Sequence, residues 1–207
     1  MEDFIRVYDD RLSKEECQLL IDEYESLDPC MKIFDSRNSG NKKGETFFCH
    51  LNDKLYDRYN IPLKKSLWPA LDWYKDEWSS GLEIGAQWSV RESYNFQKFK
   101  EGGGYYTLHC EQDGISPERM LVWMLYLNDA QCGTEFPYQN KIIEPKVGRL
   151  VIWPAAWTHS HKGVTPNKGD KYMMTGWCSY IRRDETDPDH DYQTYQDVPF
   201  LTEEDSK

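Results

Sequence analysis

The chain has 207 residues, of which 39% are hydrophobic and 14% aromatic, with eight Trp and fourteen Tyr. That length suits one domain with a full core, and the aromatic content argues against a disordered chain. A formal net charge of -11 argues against a sequence-independent nucleic-acid binder, because phosphate contacts need a basic surface.

The six cysteines, at 17, 30, 49, 110, 132 and 178, form no C-x-x-C pair. Met1-Glu2-Asp3 starts acidic, without an apolar leader, and no apolar run approaches the length of a bilayer. These features predict reduced thiols and a cytoplasmic protein with no signal peptide and no membrane contact.

Phe4-Ile5-Arg6-Val7-Tyr8 reads as a short strand within residues 3–9. Ser13 followed by Glu16 is a capping-box signature. Cys17, Leu20, Ile21 and Tyr24 recur at helical spacing, which predicts a helix from about 14 to 27 with its apolar stripe on a sheet. Residues 35–45 are polar and predict a loop. From 52 to 79, Leu55, Tyr59, Leu63, Leu67, Leu71, Tyr74 and Trp78 restore a helical period. Pro62 is placed to start a new helix there and Pro69 to break or kink it. Gly81 and Gly85 mark a change of structure, and from 86 onward the pattern is strand-like.

Gly102-Gly103-Gly104 predicts a flexible turn. No Lys-Ser/Thr pair and no helix signal follow it, so it is not a nucleotide loop. Beyond the turn come His109 and Glu111, one residue apart. On an extended strand both point to one face and Cys110 points away. One strand end then offers two metal ligands, and a neighbouring strand around His161 offers the third. Two histidines and a carboxylate that leave coordination positions open suit a non-haem iron(II) oxygenase. Lys171 is placed to catch an acid. The H-x-E triplet by itself is a weak signal. His159 competes with His161 for the third position and otherwise reads as a pocket residue, and Asp113 is an alternative carboxylate.

Met120-Leu121-Val122-Trp123-Met124-Leu125-Tyr126-Leu127 is a continuous apolar run of the length of a strand buried on both faces. Val151-Ile152-Trp153 and Tyr172 to Trp177 are further strands. Short strands separated by turns predict a sandwich or barrel, and helices that precede the strands argue against a doubly wound sheet. From 182 to 191 the chain is almost wholly polar, and it ends Glu203-Glu204-Asp205-Ser206-Lys207, the composition of a solvated acidic tail. His190, among aspartates, reads as solvated.

Several pieces in order resemble the iron(II)- and 2-oxoglutarate-dependent dioxygenases, in their prolyl 4-hydroxylase-like branch. They are Tyr106-x-x-His109-x-Glu111, Arg119 through Tyr126-Leu127-Asn128, Gly133-Thr134-Glu135-Phe136-Pro137 and Pro145-x-x-Gly148-Arg149-Leu150. Trp153-Pro154, His161-Lys162-Gly163, Pro166 and Gly169-Asp170-Lys171-Tyr172 follow. The resemblance implies that His109, Glu111 and His161 bind iron(II) and that Lys171 pairs with the distal carboxylate of 2-oxoglutarate. It further implies that Tyr106 hydrogen-bonds the same carboxylate and that Trp177 lines the substrate pocket. His161, followed by Lys-Gly and ten residues before Lys171, fits that pattern better than His159. Glu111 departs from it, since Asp is more common at this position.

The implied fold is mainly β with flanking helices, a double-stranded β-helix or jelly-roll core. It would occupy one domain over 1–181, with helical support over about 1–85, the core over about 86–181 and a tail over 182–207. The implied activity is hydroxylation of a C–H bond, first of all in a prolyl residue of a peptide or protein, with iron(II), 2-oxoglutarate and dioxygen, and ascorbate as an optional reductant. Hydroxylation of another peptidyl residue or a free amino acid, and a non-catalytic metal-binding jelly-roll module, remain open alternatives.

Overall fold

In this computed structural model, residues 2–34, 42–51, 53–82, 87–90 and 93–181 are described. The chain begins with β1 (Arg6–Tyr8) and α1 (Lys14–Ser26). The helix starts where its capping box predicts. The Glu16 N–H donates to Ser13 Oγ at 3.1 Å and the Ser13 N–H to Glu16 Oε2 at 2.7 Å, so donors left over at the helix start are satisfied. Cys17, Leu20, Ile21 and Tyr24 form its buried face.

β2 (Ile33–Phe34), β3 (Lys42–Lys43) and β4 (Glu45–His50) follow. Within the loop expected over 35–45, residues 42–43 and 45 are strand instead. Lys42 and Lys43 pair with Tyr105 and Gly104, and Glu45 already belongs to β4. A two-residue ladder is made by backbone groups and leaves no apolar alternation to read. Residues 35–41, and the tail from 182 with His190, lie outside the described part.

α2 (Asp57–Glu77) runs through both Pro62 and Pro69. The expected new start and break are absent. A proline inside a helix costs about 3 kcal/mol. Against that, Leu63, Leu67, Trp68, Leu71 and Tyr74 are buried along one side of this helix, and a fully buried large apolar side chain contributes about 1.5–3 kcal/mol. Packing outweighs the two prolines.

After α3 (Ser79–Leu82) come β5 (Trp88–Val90), β6 (Ser93–Phe99), β7 (Gly104–Tyr105), β8 (Arg119–Tyr126) and β9 (Gly133–Phe136). β10 (Lys141–Ile143), β11 (Leu150–Pro154), β12 (Lys162–Val164) and β13 (Lys171–Tyr180) complete the set. Among the described residues all pairings are antiparallel. The large sheet has the order β1-β11-β8-β13-β6-β4-β2, with β5 also on β13; a smaller one has the order β10-β9-β12, and β3 pairs with β7.

β8 is buried on both faces, as its apolar run predicts. Leu121, Trp123 and Leu125 pack towards the helices with Leu20, Tyr24, Leu63, Leu67 and Leu71. Val122, Met124 and Tyr126 point the other way and pack with Phe136, Ile143, Val151, Trp153 and Met173, between the two sheets. The core is thus the expected jelly roll, with the helices on the outer face of its larger sheet. Among the described residues no helix is long and apolar enough to cross a membrane.

One glycine ties the helical part to this core. Gly148 has φ +71°, and its carbonyl accepts the Arg11 N–H at 2.8 Å. A Cβ at that position would lie 2.2 Å from Leu12 O. Gly148→Ala is expected to lower stability by about 2–4 kcal/mol through strain and overpacking. Urea unfolding should show a lower midpoint at unchanged slope, and a midpoint equal to that of the parent contradicts the expectation.

Candidate metal centre

His109 and His161 form an isolated antiparallel bridge between two short stretches of loop. The His109 N–H donates to His161 O at 3.0 Å and the His161 N–H to His109 O at 2.8 Å. Directly opposed residues bring their side chains together, and the two ring centroids are 4.5 Å apart. The chain then bends. The N–H groups of Glu111 and Gln112 both donate to Ala155 O, at 3.1 and 2.9 Å, which anchors the carboxylate residue just beyond the end of β11. A bridge and a bend, rather than one continuous strand, therefore deliver His109 and Glu111. Cys110, expected to point away, is among the residues lining the cavity, and its thiol donates to Gln112 O at 3.2 Å.

The tautomers follow from the acceptors. His109 Nδ1 lies 2.9 Å from Thr107 O and His161 Nδ1 lies 3.0 Å from His159 O. A carbonyl only accepts, so each Nδ1 carries a hydrogen and each Nε2 keeps its lone pair. Those Nε2 atoms are 3.4 and 3.6 Å from Glu111 Oε1. One ligand atom from each residue lies within 4.8 Å of the others, the only such group of three among the described residues. Burial opposes ionisation of Glu111, but when the facing His109 and His161 rings are protonated their hydrogen bonds and charge overcome it and hold the carboxyl well below its usual range. Two neutral imidazoles, each anchored to a backbone carbonyl on its far side, and one carboxylate fit iron(II).

These ligands share a cavity of about 290 Å³ with Lys171, Thr134 and Trp177, close to the small end of ligand pockets. Lys171 opens β13 and is only 2% exposed. Burial pushes its pKa down, and the Cys132 thiol acts weakly the other way. Its ammonium lies 4.9 Å from the centre of the Phe99 ring. Among the described residues no carboxylate forms an ion pair with it. A buried charge without a partner costs several kcal/mol, and the carboxylate of a bound acid would remove that cost.

The other sequence candidates separate. Trp177 lines the cavity on Lys171's side of β13, as alternation predicts, and its Nε1 donates to Glu111 Oε2 at 3.0 Å. Tyr106 does not line it. Its hydroxyl donates to Gly102 O at 2.7 Å and the residue is 37% exposed. The adjacent Tyr105 faces inward instead and stacks on His109 with centroids 3.9 Å apart. Neighbouring tyrosines differ by one register step, and the β3–β7 ladder decides which one turns in. Asp113 turns its carboxylate to backbone, accepting the Ile115 and Ser116 N–H groups at 2.9 and 2.8 Å. His159 is buried outside the ligand group, where Nε2 donates to Asp3 O at 2.8 Å and Nδ1 lies 3.0 Å from Thr158 Oγ1. Arg119, to which the sequence assigned no role, places Nη1 3.2 Å from Glu111 Oε2.

The sequence model of the 2OG-Fe(II) oxygenase superfamily matches residues 94–179, a span that holds His109, Glu111, His161 and Lys171 together. Over that span the chain is similar to the 2OG-Fe(II) oxygenase superfamily. No curated protein matches its sequence. Among solved structures, the oxygenase fold here is similar to the viral collagen prolyl hydroxylase of Paramecium Bursaria Chlorella virus-1 in its 2OG complex. The identity is 17% and the TM-score 0.61, over 86% of this chain and 97% of the other. A Pseudomonas putida prolyl-4-hydroxylase gives 17% and 0.61 over 86% and 93% of the two chains. A Trichoplax adhaerens prolyl hydroxylase in complex with a hypoxia inducible factor peptide fragment gives 17% and 0.60 over 86% and 84%. At these identities the likeness shows the jelly-roll fold alone.

Proposed function

We propose that the domain hydroxylates a C–H bond of a peptide substrate, with a prolyl residue as the first choice, using iron(II), 2-oxoglutarate and dioxygen. One observation carries this reading: a His-Glu-His ligand group and a buried, unpaired lysine line the same cavity. His109 Nε2, Glu111 Oε1 and His161 Nε2 would hold the iron, and Lys171 the distal carboxylate of 2-oxoglutarate. The bound iron and 2-oxoglutarate supply the oxidising chemistry, with succinate and carbon dioxide as by-products. Lys171 contributes a charge-assisted bond worth roughly 1.5–3 kcal/mol and fixes the acid's orientation. The bonds from His109 and His161 to backbone carbonyls fix which nitrogen each ring presents. A metal-binding module without turnover has no use for the unpaired lysine.

The peptide substrate has support in the solved prolyl hydroxylases, one of them in complex with a peptide fragment. It has further support on β6. Asn95 and Gln97 alternate onto the cavity side of this strand, Gln97 is 6% exposed, and neither carboxamide has a hydrogen-bond partner among the described residues. 2-Oxoglutarate offers acceptors only, whereas a carboxamide has both a donor and an acceptor to satisfy. A peptide amide supplies both.

The expected result is a charge-transfer absorption band when iron(II) and 2-oxoglutarate are added without oxygen. Under air, succinate release should rise with prolyl peptides and not with free proline, accompanied by one added oxygen in the peptide mass. Absence of the band rejects the cofactor reading. A band with turnover on free proline alone rejects the peptide reading.

A further inference from the structure

The resembling enzymes more often carry aspartate where this chain has Glu111. The longer side chain has one more rotatable bond, so its carboxylate is harder to hold in one place. Its two oxygens have different surroundings. Oε1 faces the two imidazoles at 3.4 and 3.6 Å. Oε2 is held by two donors, Trp177 Nε1 at 3.0 Å and Arg119 Nη1 at 3.2 Å. The same Nη1 lies 3.2 Å from the Glu111 backbone carbonyl. The Arg119 guanidinium sits 3.7 Å from the centre of the Trp177 ring, so the two donors also brace each other. Both belong to paired strands of the large sheet: Trp177 faces Val122 across the β8–β13 ladder, and Arg119 faces Ser179.

We propose that Arg119 and Trp177 are positioning residues that fix Glu111 Oε2 and so present Oε1 to the metal. The proposal rests on the reading of His109, Glu111 and His161 as metal ligands. Ordering a free glutamate side chain costs up to about 1.5–2 kcal/mol. Here two bonds to an anionic acceptor order it at folding, before any metal arrives. The donors also balance the charge of the buried carboxylate on the side away from the cation. An aspartate at this position would draw its carboxylate back from Trp177 and Arg119, so the glutamate and this pair of donors belong together. Partners of a metal ligand placed in this way typically change metal affinity 10–100-fold when removed.

Trp177→Phe keeps a ring under Arg119 and deletes only the N–H donor; Arg119→Met deletes the guanidinium. Each is made in the parent and in a Glu111→Asp background, and Co(II) is titrated into metal-free protein by calorimetry and by its visible absorption. In the parent, each substitution should raise the Co(II) Kd by about 10–100-fold. In the Glu111→Asp background neither should raise it further, because the shorter side chain no longer reaches the donors. A metal-free readout accompanies this. The indole N–H resonance of Trp177, identified by its loss in Trp177→Phe, should move upfield in Glu111→Ala as its acceptor disappears. Unchanged Co(II) affinity in both single variants overturns the proposal. Equal losses in both backgrounds overturn it too, since they report general damage rather than a grip on the carboxylate. A parent whose Co(II) affinity is indifferent to His109→Ala sinks the ligand assignment itself, a separate failure.

Discussion

Lys171→Met is expected to make the metal-free protein more stable and to weaken 2-oxoglutarate binding strongly. The ammonium is 2% exposed and has no carboxylate partner among the described residues. Without a bound acid, its burial is a net cost, which an unbranched apolar side chain of similar length avoids. The expected gain is about 1–3 kcal/mol in urea unfolding. The same change leaves a bound dicarboxylate with an unpaired charge, a loss of about 3–5 kcal/mol, or on the order of 10²–10⁴-fold in Kd. Co(II) affinity should stay near the parent value, because Lys171 is not among the ligand atoms.

The pH dependence carries its own sign. Burial lowers the Lys171 pKa, so over a window below the ordinary lysine value of about 10.4 the unfolded chain holds a proton that the folded chain has released. Stability of the metal-free protein should therefore rise with pH through that window. 2-Oxoglutarate affinity should fall over the same window as the ammonium is lost. Lys171→Met should flatten the stability slope. A destabilised variant, or one that binds 2-oxoglutarate as the parent does, would count against the assigned anchor.

The origin of the lysine's isolation also shows which parts of the molecule were legible in the amino-acid order. Lys171 and Trp177 fall on one face of β13 because strand alternation is local, and a count of two suffices to see it. The buried run of β8 and the capping box of α1 are local in the same sense. The candidate ligand pair was readable for the same reason, since His109 and Glu111 lie one residue apart. Their geometry was not. It depends on a bridge between residues 52 positions apart in sequence and on the Ala155 carbonyl, and neither partner leaves a trace near His109. Tyr106 was named, and Tyr105 was not, because motif spacing names positions, whereas inward or outward facing is set by pairing with Lys42. Pro62 and Pro69 misled because local propensity is a weak prior when one helix face is buried along its length. Arg119 could have been suspected from its place at the start of a buried strand, where a guanidinium needs an anion nearby, but its partner became visible only once β8 and β13 were paired.

The sharpest separation lies between two histidines in sequence Thr158-His159-Ser160-His161. His161→Ala should lower Co(II) affinity by more than the 10–100-fold typical of an outer partner, since it deletes a ligand atom. His159→Ala should leave that affinity within about tenfold and weaken the fold instead. The His159 ring is buried and donates to Asp3 O, tying the start of the chain to the turn before the ligand. Its loss leaves a carbonyl unpaired and a cavity behind, about 2–3 kcal/mol together. Ile5, two residues on from Asp3, packs between the sheets with Trp153 and Ala155, so loosening should spread from the first strand into the core. Co(II) titration and urea unfolding of both variants read the two effects separately. Loss of metal in His159→Ala with retention in His161→Ala would mean that the wrong imidazole had been chosen. The geometry favours the opposite, because the His161 Nε2 faces Glu111 Oε1 and the His159 Nε2 is already engaged by a backbone carbonyl.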